Sequence, residues 1–566
     1  MASPRSLAHL RLAALAVALV LVASACGGAS ESSGGEQGRQ TLAELGLSAD
    51  QGESGLAEAG EPVRGGDLSY GVGPDTDSYC LPEAQLATAG MTIARAIYDT
   101  LLTVSESGEP SPYLAESFEP NDTYDVWTMV LRDGITFHDG SDLTAEVVKN
   151  NLDAYRGQYE GRNSLLLSFT LADISDVRVV DDLTLEIETS RPWVALPTYL
   201  TSPRISIMAQ AQLDDADACD RNMIGTGPFV LDQWEPSNFL RATRNADYWQ
   251  IAPDGEPYPY VDSIEFRFIV DGQIRAQSLE GGDLDLLQTA NAADIGGRHK
   301  DLVDEGGANI FVSNVGAEVD FVQLNHTVPP FDDPRVREAL AMAVDREALN
   351  DVIADGHHEL ATGPYAPDSI GHVDDAGFPA YDPEGARQLV DEYVADGGDA
   401  SFTLVHTTDP TVARTAELIQ QDAIEAGFSV DLAQRDQAAL INDAIGKGYQ
   451  AMLFRNFAGG DPDNTYVWWY GQDNPVNFAG FDDPEINDLL DEGRSEIDPD
   501  LRPGIYQDID RQMSGDVHGL WLWPTDWAIV TGPDVHGIRG PELPDGAGPT
   551  LQLTYGHPLL GLWKSS

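Results

Sequence analysis

The sequence predicts an α/β fold in which sheets pack against helices, and three observations support this prediction. Hydrophobic residues make up 42% of the 566 residues, which is enough to bury a large core and excludes wholesale disorder. Short runs such as Leu183–Thr189 alternate apolar and polar residues with the period of a half-buried strand. Phe402–His406 and Ser429–Leu432 are strand-like and flank a helical pattern at Val412–Ala426 that Gly427 closes, so together they form a β-α-β unit.

The other elements follow from local patterns, in chain order. Asp67–Val72 is a predicted strand, Thr92–Leu102 has the period of a helix, and Asp262–Val270 alternates as a strand. An acidic N-cap followed by a first-turn proline, Asp333-Pro334, predicts the start of a helix. The apolar stripe of that helix is formed by Val336, Leu340, Ala343, Val344 and Leu349.

The N-terminus has the pattern of a secretory signal peptide over residues 1–25. Two arginines precede an apolar run at Leu12–Ala23, which is shorter than the ~20 residues that a membrane-spanning helix needs. The small residues Ser24-Ala25 and then Cys26 follow the run. This arrangement resembles the lipobox of bacterial lipoproteins, which implies cleavage before Cys26 and lipidation of its thiol. Plain secretion with a free Cys26 is the alternative.

Residues 26–64 are predicted to be a lipidated, flexible tether. The segment is rich in Gly, Ser, Glu and Gln and poor in large apolar residues, a composition typical of flexible linkers. Thr41–Leu47 is predicted to form a brief helix within it. At roughly 5–6 Å × √n, a tether of this length holds the folded part on the order of 35 Å from the lipid.

The charge balance excludes general binding to nucleic acids. The chain has 94 Asp+Glu and 32 Lys+Arg, for a net charge of −62, and would be repelled by phosphate backbones. The same repulsion keeps it from anionic lipid surfaces, so the predicted contact with the membrane is through the lipid anchor only. A surface this acidic stays soluble in high salt, where its self-repulsion is screened. Codon usage in a GC-rich genome is an equal explanation.

Cysteine usage fits an oxidising compartment. The chain has three cysteines, and lipidation of Cys26 leaves Cys80 and Cys219. Pairing is favoured in such a compartment, so we predict a disulfide between them, with two buried free thiols as the alternative. There is no CxxC pair or Cys/His cluster in the sequence, so no thiolate metal site is expected.

Five motifs in a fixed order carry a family resemblance. They are Leu131–Gly140 (LRDGITFHDG) followed by Leu143–Val148, then Gly225–Phe229 (GTGPF), Arg244–Trp249 (RNADYW), Asp333–Leu340 (DPRVREAL) and Ala343–Arg346 (AVDR). Together they resemble the extracellular solute-binding proteins of the dipeptide/oligopeptide/nickel type that serve ABC importers. The match runs from about Gly65 to about Pro524, and the sequence is identified as a member of this family.

The resemblance implies the periplasmic-binding-protein fold. Two α/β lobes would surround a cleft, with an extra subdomain in lobe 1. We place the first part of lobe 1 at residues 65–319, lobe 2 at 320–526, and a segment returning to lobe 1 at 527–566. The chain would cross between lobes near Val319–Asn325 and near Trp523–Ala528. The glycines of the GTGPF motif are expected to be turn residues with positive φ.

The resemblance also indicates where a ligand would bind. In peptide-binding relatives, a Trp-x-x-Asp segment precedes a Gly-Asp-Pro-Asp-Asn-like turn, and that Asp holds the ligand's α-ammonium. Here the turn is Gly460–Asn464, which puts Arg455 at the Trp position and Ala458 at the Asp position. Free-amino-terminal peptides are therefore not expected to be the best ligands, unless the alignment slips and Asp461 or Asp463 supplies the carboxylate. The predicted ligand-binding residues are Phe454, Arg455, Asn456, Phe457, Ala458, Asp461, Trp468 and Trp469.

The function expected from this resemblance is a solute receptor, likewise expected to be a monomer, on the outer face of the cytoplasmic membrane. It would capture a peptide-like or other small solute and deliver it to the permease and ATPase subunits of an importer. No Walker A loop, HExxH or GxSxG motif occurs in the sequence, so no catalytic residue, metal or cofactor is predicted. A ligand sensor with the same fold is one alternative, and a secreted glycoside hydrolase with two carboxylates is another. The adjacent histidines at 357 and 358 are expected to lie in an exposed loop.

Overall fold

The computed structural model describes residues 40–47, 60–164, 166–313, 316–456, 459–471, 474–550, 552, 557 and 559–565. Predicted features that lie outside these ranges are the signal peptide, Cys26, and residues 457 and 458 of the ligand-binding run. No helix among the described residues is long and apolar enough to cross a membrane. The described helices of eight or more residues are Thr88–Ile97, Ala145–Tyr155, Gly272–Glu280, Pro334–Ala343, Arg346–Ala354, Pro383–Ala395, Pro410–Glu425, Gln437–Ile445, Pro484–Ser495 and Arg502–Gly515.

A mixed sheet, called the first sheet, organises the first lobe. In the described part of the chain it has seven strands in the order Asn309–Ser313, Trp527–Thr531, Leu286–Thr289, Asp67–Val72, Ser263–Phe268, Phe239–Arg244 and Phe229–Glu235. The strand Asp67–Val72 lies at its centre and pairs in parallel with both neighbours. Leu68, Tyr70 and Val72 lie on one face of this strand and are buried, so that face packs on the core of the lobe.

The predicted extra subdomain of the first lobe is an antiparallel sheet. Its four described strands lie in the order Ala115–Pro120, Val126–Leu131, Thr184–Thr189 and Ile174–Asp181. Along Val126–Leu131 the side chains alternate between half-buried and buried, as the alternating sequence requires. A short hairpin pairs Leu102–Val104 with Pro110–Pro112.

A second sheet organises the second lobe. Its five described strands lie in the order Ser429–Gln434, Ser401–His406, Ala451–Arg455, Val319–Leu324 and Gly519–Pro524. The first two pair in parallel and are joined by the helix Pro410–Glu425, which confirms the predicted β-α-β unit. The predicted fold class, two α/β lobes with an extra subdomain, is therefore correct.

The chain passes between the two sheets in two places. It leaves the first sheet after Ser313 and enters the second at Val319; it leaves the second after Pro524 and re-enters the first at Trp527. The first crossing was predicted near Val319–Asn325, and the passage lies just before that run, in which Val319–Leu324 is already a strand of the second sheet. Both passages are short, so they form the hinge between the lobes.

The predicted helix Thr92–Leu102 is shifted by several residues. The helix spans Thr88–Ile97, and Tyr98 is already extended. The carbonyl oxygen of Ile97 accepts a hydrogen bond from the backbone N–H of Gly227 instead of continuing the helix. A Cβ at Gly225 or Gly227 would overlap the backbone of Ile97, so these glycines are needed for close approach and not for the positive φ that we expected.

The helix predicted from Asp333-Pro334 is two helices. Asp333 caps the first as expected, but that helix ends at Ala343. The side chain of Asp345 then accepts a hydrogen bond from the backbone of Ala348 and starts a second helix, Arg346–Ala354. Leu349, assigned to the stripe of the first helix, therefore belongs to the second. A local N-cap overrides a continuous apolar pattern.

Cys80 and Cys219 are joined by a disulfide.

The segment Thr41–Leu47, which precedes the first strand, forms turns and not the predicted helix. It is also not a free tether, because Leu42 and Leu47 are 2% and 9% exposed and pack on the folded chain.

Candidate ligand-binding cleft

A cavity of about 530 Å³ lies between the two lobes and is walled by both of them. The first lobe contributes residues 84–89 and 288–292, and the second contributes residues 407–412 and 453–455. Cavities of a few hundred to a thousand Å³ suit small organic ligands. The cavity is therefore the candidate functional site.

One part of the wall is apolar and aromatic. Phe454, Trp468 and Phe478 come from the second lobe and face Leu166 and Leu167 of the first. The ring of Phe478 lies 5.9 Å from that of Phe454 and 5.8 Å from that of Trp468, so the three rings pack as one unit. Such a surface can bury the apolar part of a solute.

Another part of the wall is acidic, because three aspartates at the N-terminal ends of helices contribute to it. Asp271, Asp409 and Asp436 each precede a helix and accept backbone N–H groups of its first turn with one carboxylate oxygen. Arg275 lies nearby, where burial lowers its pKa although Asp409 and Asp271 oppose that effect. Its guanidinium donates to the backbone oxygens of residues 269, 270 and 288, so it mainly supports the wall.

Arg455 brings a positive charge into the cleft, but two carboxylates compensate it. Its guanidinium lies 3.4 Å from an oxygen of Asp320 and 3.8 Å from one of Glu318. It also stacks over the ring of Trp527 at 5.3 Å. The Oδ2 atom of Asp320 additionally accepts a hydrogen bond from Thr525 at 2.8 Å. The group as a whole has a formal charge of −1 and is anchored at both hinge passages.

Buried donors without partners also belong to the wall. The Nε2 atoms of Gln85 and Gln288 and the Nε1 atom of Trp527 make no hydrogen bond with any described residue. Leaving a buried N–H unsatisfied costs about 1–3 kcal/mol. Acceptor oxygens of a bound solute can reduce that cost after small side-chain shifts.

Seven of the eight predicted ligand-binding residues, all but Asp461, divide into three groups. Phe454, Arg455 and Trp468 line the cavity. Asn456 and Trp469 border a separate void of about 10 Å³ inside the second lobe, and Trp469 packs against the ring of Tyr365. Phe457 and Ala458 lie outside the described residues.

Asp461 and Asp463 do not supply a carboxylate to the cavity wall. Asp461 forms two hydrogen bonds of 2.8 Å with the guanidinium of Arg502, a bidentate pair. Asp463 is fully buried and accepts hydrogen bonds from Trp193, Tyr199 and Arg494. These partners occupy both carboxylates, which removes the structural support for an alignment slip that would make either one the anchor.

Asp463 is the centre of a buried polar group that joins the lobes, called here the inter-lobe cluster: Asp173, Trp193, Tyr199, Asp463, Arg494 and Tyr506. Trp193 and Tyr199 of the first lobe donate to Asp463 of the second at 2.8 and 3.0 Å. Arg494 of the second lobe pairs with Asp173 of the first at 3.0 Å. Asn291–Thr411 and Thr198–Asn464 hydrogen bonds of 3.3 Å also cross between lobes, so the cleft is closed in this structure.

Residues that sequence reasoning missed cluster at the hinge. Glu318, Asp320, Trp523 and Trp527 all line the cavity and flank the two passages between sheets. The predicted crossings were a usable signal, because segments that pass between lobes also border the cleft. His358 was expected in an exposed loop, but it is 6% exposed, lines the cavity and stacks on Trp523 at 4.8 Å.

One group of metal-ligand types lies away from the cleft. Ligand atoms of Asp483, Asp516 and His518 come within 4.8 Å of one another among the described residues. Burial, helped by the charge of Arg337, lowers the pKa of His518 to about 3, so the ring is neutral. The guanidinium of Arg337 donates to the backbone oxygens of Asp516 and Val517 and opposes a second cation there. We assign no metal to this group.

Comparisons with known proteins match most of the chain. The model of the family "Bacterial extracellular solute-binding proteins, family 5 Middle" matches residues 109–478. The glutathione-binding protein GsiB of Escherichia coli K12 is 27% identical over 431 residues, which cover 74% of this chain and 81% of GsiB.

Solved structures with the same fold have lower sequence identity. DppA from Helicobacter pylori in complex with the peptide STSA has a TM-score of 0.77 at 20% identity, covering 89% of this chain and 99% of DppA. AppA from Bacillus subtilis in complex with a nonapeptide has a TM-score of 0.77 at 21% identity, covering 89% of this chain and 100% of AppA. AgaA from A. tumefaciens R10 in complex with agropinic acid has a TM-score of 0.77 at 24% identity, covering 88% of this chain and 99% of AgaA.

Proposed function

Because the chain belongs to family 5 of the bacterial extracellular solute-binding proteins, we propose that it captures its solute in the cavity between the lobes and delivers it to a membrane permease. It is a solute-binding protein of the ABC-importer type, which binds peptides or similar small ligands. The observation that carries the proposed site is a cavity of about 530 Å³ walled by both lobes. A solute held there contacts both lobes and so stabilises the closed arrangement.

Native mass spectrometry of the full chain tests this site. We expect a co-purified small solute, released with unchanged mass, because a binding protein does not turn its ligand over. Trp468→Ala removes an aromatic wall residue and should weaken retention by about tenfold or more, since stacking and burial of one aromatic side chain contribute on the order of 1–3 kcal/mol. Tyr381→Ala, on an exposed second-lobe residue outside the cavity wall, is the control and should retain the solute. Equal retention by both variants would place the solute elsewhere, and a chemically altered solute would favour an enzyme.

We further propose that the preferred solute is not a peptide with a free amino terminus. The Asp that holds the α-ammonium in peptide-binding relatives is replaced by Ala458 in the sequence. Asp461 and Asp463, the candidates to replace it, are held by Arg502 and Arg494. The unpartnered donors of Gln85, Gln288 and Trp527 favour a solute rich in acceptor oxygens, such as a blocked or cyclic peptide.

Calorimetric titration compares a random short-peptide pool with an N-acetylated copy. Acetylation removes the positive charge and adds an acceptor oxygen, so we expect the acetylated pool to bind at least as tightly as the free pool. Tight binding of the free pool that is lost on acetylation would contradict this proposal and would show that a carboxylate of the wall holds the ammonium. Asp409→Asn and Asp271→Asn would then identify which one.

We propose that Cys26 carries the lipid that holds the receptor at the outer face of the cytoplasmic membrane. The support is the sequence of its N-terminal region and the extracellular character of the family. Cys26→Ser should abolish lipid labelling and release the protein from membranes, because the two other cysteines are joined to each other. Full membrane retention of the serine variant would contradict the anchor.

A further inference from the structure

The segment Gln40–Leu47, called here the strap, lies before the first strand and has an ordered structure of its own. The backbone N–H of Thr41 donates to the Glu44 carboxylate at 3.0 Å, and the backbone N–H of Glu44 donates to the Thr41 hydroxyl at 3.3 Å. This reciprocal pair is a capping box around a single turn. Gly46, with φ of +77°, ends the turn. The strap therefore forms an ordered turn and is not a flexible linker.

The strap contacts both lobes beside the hinge. Leu42 and Leu47 pack in one cluster with Val312 and Ala528, which flank the hinge passages in the first sheet, and with Ala354 of the second lobe. Other first-lobe members of the cluster are Ala292 and Ile295. Leu42 is 2% exposed, so it loses part of its favourable burial if either lobe moves away from the strap.

Hydrogen bonds fix the strap to the second lobe through one residue. The backbone N–H of Leu42 donates to the carbonyl oxygen of His357 at 3.3 Å, and the ring Nδ1 of His357 lies 2.7 Å from the carbonyl oxygen of Gln40. The other edge of that ring rests on the first lobe at Gly296, where a Cβ would lie 2.5 Å from Cδ2 of His357. His357 therefore contacts the strap and the first lobe at the same time in this closed arrangement.

We propose that the strap is a built-in brace of the closed state, which couples closure of the cleft to the N-terminal end of the chain. The strap gains contacts with both lobes when they meet and loses part of them when they separate. A segment that binds one conformation better than the other shifts the equilibrium toward it, and closure in turn orders the segment by the same factor. This inference rests on the proposed function, because it adds regulation to the same cleft.

A covalent lock on the lobes tests the coupling without any solute. Asn291 and Thr411 face each other across the cleft, with 3.3 Å between Nδ2 and Oγ1. In the full chain carrying Asn291→Cys and Thr411→Cys, oxidation holds the lobes closed. We expect hydrogen exchange at the Leu42 amide to be about fivefold or more slower in the oxidised form than in the reduced form, which is the lower end of the usual range of coupling between sites. The natural chain with and without the same reductant is the control and should not change.

Equal exchange at Leu42 in the locked and unlocked forms would overturn the brace, whatever solute the cleft binds. Because the protein is first freed of any co-purified solute and none is added, this result is independent of the solute retention experiment above.

A matched pair of glycine variants tests the role of His357. Gly296→Ala places a methyl group against the His357 ring, whereas Gly297→Ala on the same turn meets no atom within 4 Å. We expect Gly296→Ala to speed exchange at the Leu42 amide by about threefold or more relative to Gly297→Ala, since it displaces the ring that anchors the strap. Thermal melting of both variants verifies that the lobes are folded. Unchanged exchange in Gly296→Ala would overturn the assignment of His357 as the anchor.

Discussion

Arg494→Met is expected to lower the free energy of unfolding by about 3–5 kcal/mol, because removing the cationic partner of a buried ion pair leaves the buried carboxylate of Asp463 unpaired. The guanidinium is 1% exposed and lies 3.0 Å from both Asp463 and Asp173. Burial alone would lower the pKa of Arg494, but the negative charges of Asp463 and Asp173 outweigh burial and hold the pKa above its ordinary value. The arginine is therefore charged and compensates the buried carboxylate of Asp463, whereas Asp173 also pairs with Arg191 at 3.3 Å.

The ring contacts of Arg494 add to this effect. Its guanidinium lies 3.6 Å from the centre of the Tyr466 ring and 4.5 Å from that of Trp193. Methionine fills part of the same volume but replaces neither the cation–π contacts nor the hydrogen bonds. Because Trp193 and Asp173 belong to the first lobe, the loss also weakens the closed arrangement of the cleft.

Chemical denaturation of the variant measures the loss, with Arg414→Met as the control. Arg414 pairs with Glu417 on the surface of one helix, where both side chains are about half exposed. Exposed pairs of this kind contribute roughly 0–1 kcal/mol, so the control should unfold almost like the natural chain. A loss below about 1 kcal/mol for Arg494→Met would mean that water or rearrangement compensates the carboxylate of Asp463.

The fold could be predicted from the sequence wherever the evidence was local. The strand Asp67–Val72 and the start of the helix at Pro334 were correct, because alternation and an Asp-Pro cap act within a few residues. The helix predicted to reach Leu102 ends at Ile97 because a tertiary hydrogen bond from Gly227 takes over, and no local pattern announces that contact. Leu42 and Leu47 were assigned to a brief helix within a flexible tether, and the sequence did not reveal their burial, because the surface that buries them comes from distant parts of the chain.

The cleft was less predictable than the fold. The resemblance led to Phe454, Arg455 and Trp468, which line the cavity. It could not reveal that Glu318 and Asp320 compensate Arg455, because that pairing depends on how strands from different parts of the second lobe lie beside one another. Asp461 was expected at the ligand, and only the fold shows its partner Arg502, 41 residues further along the chain.

Asp510→Asn is expected to stabilise the protein by about 2–4 kcal/mol at pH 8 and to have little effect at pH 4. Asp510 is fully buried in the second lobe, and burial raises its pKa to about 7 although backbone N–H groups, such as that of Val373, oppose the shift. Its Oδ1 atom has no partner among the described residues.

The sign of this effect follows from where the proton is bound. An unfolded Asp titrates near pH ~3.9, so between about pH 4 and pH 7 the folded chain holds a proton that the unfolded chain has lost. The free energy of unfolding therefore falls as pH rises through that range. The total fall is about 4 kcal/mol, because the pKa of Asp510 is roughly three pH units higher in the folded chain than in the unfolded chain. Asparagine is uncharged at every pH, keeps an acceptor for the Val373 amide, and avoids the loss.

Denaturation of both proteins at pH 4 and pH 8 measures the difference, and Asp508→Asn is the matched control. Asp508 lies on the same helix two residues earlier and is mostly exposed, so its replacement should change stability by less than about 1 kcal/mol at either pH. If Asp510→Asn raised the free energy of unfolding equally at pH 4 and pH 8, this would show that the carboxyl stays ionised when buried. A benefit confined to pH 8 would show that the second lobe holds a neutral carboxyl at acidic pH, and that stability is lost between about pH 4 and pH 7, where only the unfolded chain has released that proton.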